Sequence, residues 1–381
     1  MRKIFSNLLL IIVSLAISAL GLEIALRFFD PLPNPYSMPQ GYMGVDGNTW
    51  RLTPNFQGIM DNKVDFRNKI LSTDERGIRK TPASSVLTKV DKTLFVLGDS
   101  QTAGVGLSDN ETWSNCLQEI IIKNSIAVKV ENWGVPAINI DQYEARLPKL
   151  LKQAKPGDVV LVGISWNDLT TPLNVGRQME MVEGYLVSVP TNSDDENKWK
   201  LDAAKKIHEY TTRGNKLPDY QNLKDFFKSM AEDSAFMSFI YNRLRNIYLM
   251  HRDDHPILDA IRAETHTANL LLLRSMKEKA EEVGVEFAII LLPDAVIFND
   301  AIFTVFSQNK RFFSEQDVMR SLTKKSCQEN KIICLNAFNI LNKHQNEGLS
   351  FVKDGHYNAL GAKYIADYLY SNLEPMLKNK H

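Results

Sequence analysis

With 45 basic and 45 acidic side chains in 381 residues, the chain carries no net charge at neutral pH. The electrostatic attraction that dominates nucleic-acid binding is therefore missing, and no such partner is expected. An apolar fraction of 44% is that of a globular protein, the length accommodates one large domain with additions, and three cysteines are too few for a disulfide framework.

Met1-Arg2-Lys3 leads into an apolar run, Leu8 to Leu22, which continues past Glu23 through Ile24-Ala25-Leu26 to Phe28-Phe29. A basic flank before an apolar stretch predicts a single N-terminal transmembrane helix over 1–30, with its start inside and the rest of the chain outside. A cleaved signal peptide is the alternative, since Ala16-Ile17-Ser18 and Ala19-Leu20-Gly21 supply small residues; Asp30-Pro31 ends the helix. Residues 31–91 read as a linker and a small β-containing extension. The prolines at 31, 33 and 35 predict an extended spacer, and Lys63–Phe66 and Lys69–Leu71 alternate as short strands at a structural edge.

Leu94–Leu97 is short and apolar, as a buried strand is, and Gly98 permits the turn that leaves Ser100 at the strand's carboxyl end. Ligands bind there in open α/β sheets, although Gly-Asp-Ser also makes an ordinary turn. A second strand, Ala127–Glu131, precedes Asn132-Trp133-Gly134. Gly134 is either a loop glycine or one whose N–H is brought close to a substrate oxygen. Helix Asp141–Lys152 and strand Val159–Ile164 follow, and the strand closes in Gly163-Ile164-Ser165-Trp166-Asn167-Asp168. Asn167 either caps the next helix or donates its amide to an oxyanion.

The alternation is then interrupted from Leu169 to about Ala263 by an insertion, mainly helical, whose apolar stripe over 223–250 packs on the domain. Its attachment beside Asn167 makes it a candidate lid or binding wall. His251 and His255 stand four apart, but no glutamate sits where a zinc hydrolase needs one and Pro256 follows, so a charged helix end is expected and no metal.

Helix Thr265–Val283, strand Val285–Leu292, helix Ser314–Asn330 and strand Ile332–Leu335 complete a pattern that predicts a parallel sheet with right-handed crossovers. Asp294 either lines the pocket or caps its loop. Cys327 and Cys334 are near enough to pair in an oxidising compartment, with two core thiols the other reading, and Cys116 packs in the core. Before the last helix, Ala359 to about Leu373, Asp354-Gly355-His356 offers a proton acceptor with a carboxylate to orient it.

In this order, Gly98-Asp99-Ser100 with Thr102, Gly134, Gly163 to Asp168, and Asp354 with His356 resemble the blocks of the SGNH/GDSL hydrolase family. The resemblance covers roughly 92–370, within a domain expected over 92–380 with the insertion at 169–263. It implies a three-layer α/β/α, flavodoxin-like fold with a mostly parallel five-stranded sheet, and serine ester chemistry without a cofactor. Ser100 would be the nucleophile, His356 the base and Asp354 the orienting acid; the backbone of Ser100 and Gly134 and the side chain of Asn167 would form the oxyanion hole. Many members place the acid three residues before the histidine, where this chain has Lys353.

The leading expectation is a membrane-anchored, outward-facing serine esterase acting on an O-acyl group of an envelope glycan or a lipid. An O-acyltransferase using the same residues is the alternative, and a non-catalytic, tethered glycan-binding scaffold is a third.

Overall fold

A computed structural model describes residues 2–29, 33–34, 36–46, 49–170, 179–188, 196–213, 256–295 and 310–379. Helix α1, Arg2–Phe29, comes first, with Leu10, Ile11, Leu15 and Ile17 exposed along it and Glu23 buried within its apolar run. Among the described residues no helix is long and apolar enough to cross a membrane, so the spanning anchor expected over 1–30 finds no support in the fold.

The extension is more than the spacer its prolines predict. Strand β1, Met43–Asp46, pairs antiparallel with β2, Thr49–Leu52, and β3, Gln57–Met60, pairs antiparallel with β4, Lys69–Ser72. The strand expected at Lys63–Phe66 is a turn instead. Asn62 Oδ1 accepts from the backbone N–H groups of Val64, Asp65 and Phe66 at 3.0, 2.8 and 3.1 Å, taking up locally the donors a partner strand would have used.

The central sheet is built from β5, Lys92–Leu97, β6, Val128–Asn132, and β7, Val159–Ser165. After a separate antiparallel pair, β8, Met179–Val182, with β9, Tyr185–Ser188, it gains β10, Glu286–Leu292, and β11, Ile333–Asn336. Its neighbours are all parallel and its order is β6-β5-β7-β10-β11. Counted along the chain, the five strands stand second, first, third, fourth, fifth. This is the flavodoxin-like order, whose ligand crevice lies beyond the carboxyl end of the first strand, here β5.

These strands read as unbroken apolar runs because both faces are covered. Leu94 and Val96 enter one core with Leu161 and Ile290, while Phe95 and Leu97 enter the other with Val160 and Ile289. Chain order supplies helices α2, Ser100–Ala103, α3, Trp113–Lys123, α4, Ile140–Leu151, α5, Trp166–Thr170, α6, Glu196–Arg213, and α7, Pro256–Glu282. They are followed by α8, Lys310–Glu329, α9, Phe338–Lys343, and α10, Ala359–Lys378. α3 and α10 close the first core and α4 and α7 the second, giving three layers. Lys92 Nζ donates to the Met376 carbonyl at 2.6 Å, tying the start of β5 to the end of α10.

The described part of the insertion contains the β8–β9 pair as well as helix. Val182, Tyr185, Trp199 and Ile207 make a small core there, which Tyr36 of the extension joins edge-on to the Tyr185 ring. The expected stripe over 223–250 and His251 and His255 lie outside the described residues. Cys116, Cys327 and Cys334 are free thiols.

Candidate active site

The apolar run of β5 stops at Gly98, and the chain turns directly into the four-residue helix α2 with Ser100 as its first residue. Asp99 caps it, its Oδ1 accepting from the Gln101 N–H at 2.9 Å. A Cβ added at Gly98 or at Gly163 would lie 2.1 or 2.4 Å from Thr102 Oγ1. Both glycines thus make room for one buried threonine, which seats α2 against the ends of two neighbouring strands. Ser100 itself stays half-buried.

Asn132, at the end of β6, holds the other side of α2. Its Nδ2 donates to the Thr102 carbonyl at 2.9 Å and to Ser114 Oγ at 2.8 Å, and its Oδ1 accepts from the Gly134 N–H at 3.0 Å. A Cβ at Gly134 would lie 2.4 Å from Ala103 N. The missing side chain at Gly134 therefore admits the backbone of α2, and its N–H is engaged internally. The Ser100 N–H, by contrast, has no acceptor among the described residues.

Asn167 is exposed at the start of α5 and donates its amide to Asp99 Oδ2 at 3.2 Å, while Ser165 Oγ donates to Asp99 Oδ1 at 3.1 Å. Burial raises the Asp99 carboxyl above the usual range, against the pull of the Gln101 N–H, the His356 charge and these two side chains. Asp168 is fully buried, accepting from the Ser165 N–H at 2.7 Å and the Tyr143 hydroxyl at 2.8 Å. Burial, then the charge of Asp99, pushes it well above its ordinary value, and it serves the architecture of this corner.

His356 Nδ1 is hydrogen-bonded to Asp354 Oδ1. Burial alone would lower the histidine's pKa, but the bond and charge of Asp354, with Asp99 and Asp294 adding to them, raise it above the ordinary value. Gln101 ties this loop to α2. Its Oε1 accepts from the Tyr357 N–H at 3.1 Å and its Nε2 donates to the Gly355 carbonyl at 3.4 Å, so the residues flanking His356 are fastened to the neighbour of Ser100. Among the described residues no hydrogen bond joins Ser100 to His356. Sequence reasoning passed over Asp99, Gln101 and Asn132 as site builders. The signal for Gln101 was a long polar side chain directly after the nucleophile; for Asn132, a polar residue ending an apolar strand.

Beyond Ser165 a small cavity of about 30 Å³ opens at the carboxyl ends of β7 and β10, walled by Ile164, Leu169, Leu291, Leu292 and Phe338. The Arg320 guanidinium lies over the Phe338 ring, 4.0 Å from its centroid. The Tyr357 hydroxyl donates to the carbonyl of Pro293, one of the residues lining the cavity, and Ser165, another, donates to Asp99.

No family model matches the chain. Over 84 residues, 22% of the chain, it is 32% identical to an arylesterase from Vibrio mimicus, and the match spans 42% of that relative's length. Among solved structures it is similar to TesA, at 14% identity with 75% of this chain and 99% of that one covered and a TM-score of 0.39. It is also similar to a member of the lipolytic G-D-S-L family from Veillonella parvula, at 13% identity with 74% and 97% covered and a TM-score of 0.38.

Proposed function

We propose that the chain is a serine ester hydrolase of the SGNH/GDSL type, with Ser100 as nucleophile, His356 as base and Asp354 as the acid that orients it. The observation that carries this reading is the Asp354–His356 pair, held beside Ser100 by Gln101 at the carboxyl end of β5. A serine hydroxyl is a poor nucleophile until a neutral imidazole takes its proton. With Nδ1 committed to Asp354, Nε2 of His356 is the nitrogen left for Ser100, and their hydrogen bond forms as the site tightens around substrate, as is expected of catalytic hydrogen bonds.

Ser100 Oγ bonds to the ester carbonyl carbon while its proton passes to His356, and the oxyanion is received by the Ser100 N–H and the Asn167 amide. The alcohol leaves with the proton from His356. Water then attacks the acyl-enzyme, giving a proton to His356; the bond from the acyl carbon to Ser100 Oγ breaks as that proton returns to Oγ, and the acid is released. Gly134 contributes by letting α2 pack, its N–H being held by Asn132.

The apolar walls at the carboxyl ends of β7 and β10, next to Ser165, support an apolar acyl group as the part of the substrate that this end of the sheet would hold. The exposed apolar residues of α1 support action at an envelope or membrane surface.

The test is to treat the full chain with a serine-reactive fluorophosphonate and with chromogenic esters of acetate, butyrate and octanoate. Labelling and turnover in the wild type, both lost in Ser100→Ala and His356→Ala proteins of unchanged circular dichroism, are the expected result. A wild type inert to probe and esters alike would overturn the reading.

A further inference from the structure

The extension before β5 touches both halves of the proposed site, and it does so with charged side chains on main-chain groups. Arg79 is 1% exposed. Each of its five N–H donors finds an acceptor. Nε donates to Asp109 Oδ1 at 3.1 Å, Nη1 to the carbonyls of Ala103 and of Gly104, the latter at 2.7 Å, and Nη2 to the carbonyls of Leu107 and of Ile70, the latter at 3.3 Å. Ala103 and Gly104 are the last turn of the helix that Ser100 begins, so the guanidinium fixes the far end of the nucleophile's own element.

On the other side, Asp65 Oδ1 accepts from the backbone N–H groups of Val352 and Lys353 at 3.0 and 3.1 Å, and its Oδ2 accepts from Lys353 at 3.0 Å. These two residues immediately precede Asp354. The neighbouring Phe66 ring packs on Phe351 with centroids 5.2 Å apart, and the Phe351 N–H donates to the His356 carbonyl at 2.8 Å, closing the loop that carries the base.

We propose that Arg79 and Asp65 are positioning residues: the extension is a two-armed clamp that sets the placement of Ser100 relative to His356. This rests on the hydrolase reading above. Nothing else in the chain is required to bridge these arms, since both belong to the one segment between β3 and β5. A displacement of about 1 Å in such a pair costs on the order of 10²-fold in rate.

The test uses the full chain and reads kcat, KM, the fluorophosphonate labelling rate, the melting temperature and the NMR titration of the His356 ring in Asp65→Ala, Asp65→Asn and Arg79→Lys proteins. In Asp65→Ala we expect KM within about two-fold, kcat and labelling down by about 10-fold or more, and a displaced His356 titration. Asp65→Asn keeps an acceptor oxygen and recovers most of the loss. Arg79→Lys, which offers three donors for five acceptors, loses about 10²-fold in kcat from whatever fraction is folded. A folded Asp65→Ala protein with wild-type kcat, labelling and His356 titration overturns the clamp. If the wild type neither hydrolyses nor labels, the hydrolase reading falls, and the His356 titration in Asp65→Ala still decides whether the extension positions that loop.

Discussion

The serine side and the histidine side of the site are built on opposite plans. Ser100 stands on a helix pinned by Thr102 between two glycines, by Asn132 and by the buried Arg79, all in the interior. His356 sits on a partly exposed loop that owes its place to single polar side chains arriving from elsewhere, Asp65 from the extension and Gln101 from α2. The nucleophile is placed by packing, where errors of volume are punished, and the base by hydrogen bonds, where a partner can be exchanged at small cost to the fold. Substitutions on the serine side should therefore cost stability as well as rate, and substitutions on the histidine side should cost rate with little loss of stability.

The sharpest way to break that contrast is Asp354→Asn. Loss of the orienting carboxylate should lower kcat by about 10²–10⁴-fold while the protein stays folded. Because Asp354 raises the pKa of His356 against the lowering effect of burial, and the base acts only when neutral, the acid limb of kcat/KM should lie above the ordinary histidine range in the wild type and move to lower pH in the variant. The sign for stability follows from the same shift. A histidine raised in the folded state contributes stability that is fully present below its unfolded pKa and lost as pH rises through the folded value, so denaturant midpoints measured across that window should flatten in Asp354→Asn. An acid limb that does not move would mean that another carboxylate, Asp99 or Asp294, sets the charge at the ring.

Asn167→Ala comes next. Removal of one oxyanion donor should lower kcat by about 10²–10³-fold with little change in KM, as stopped-flow assays on a short-chain ester would show. A loss confined to KM would instead assign Asn167 to ground-state binding.

The smallest effect on chemistry and the largest on folding is expected of Gly134→Ala. Its Cβ would meet the backbone of Ala103 at 2.4 Å, an overpacking that should cost about 1–3 kcal/mol of stability in urea titration. If the folded fraction kept its stability and lost only turnover, the glycine would belong to the chemistry after all.

The sheet was readable from sequence because its strands are buried on both faces and so appear as uninterrupted apolar runs; β5, β6, β7 and β10 each fall within two residues of the expected ends. Ser100, Asn167, Asp354 and His356 stood out in the sequence because each lies next to a predicted strand or helix end, where a polar residue has to be explained. Gly134 was marked by position but not by use, since the absence of a side chain does not say what approaches. The clamp was illegible for another reason. Arg79 and Asp65 act through partners dozens to hundreds of positions away, and an arginine near a turn or an aspartate in a short polar run looks the same whether it faces solvent or the heart of the fold.

The bond from Lys92 to the Met376 carbonyl has a mechanical consequence. β5 leads from Lys92 to Ser100, and α10 leads from Met376 back to His356, so strand and helix are two legs of a caliper whose pivot is that one ammonium group and whose points are the two reacting side chains. The pivot sits at the end of the sheet away from Ser100, so a label on Lys92→Cys would report on the joint between strand and helix without touching the candidate site.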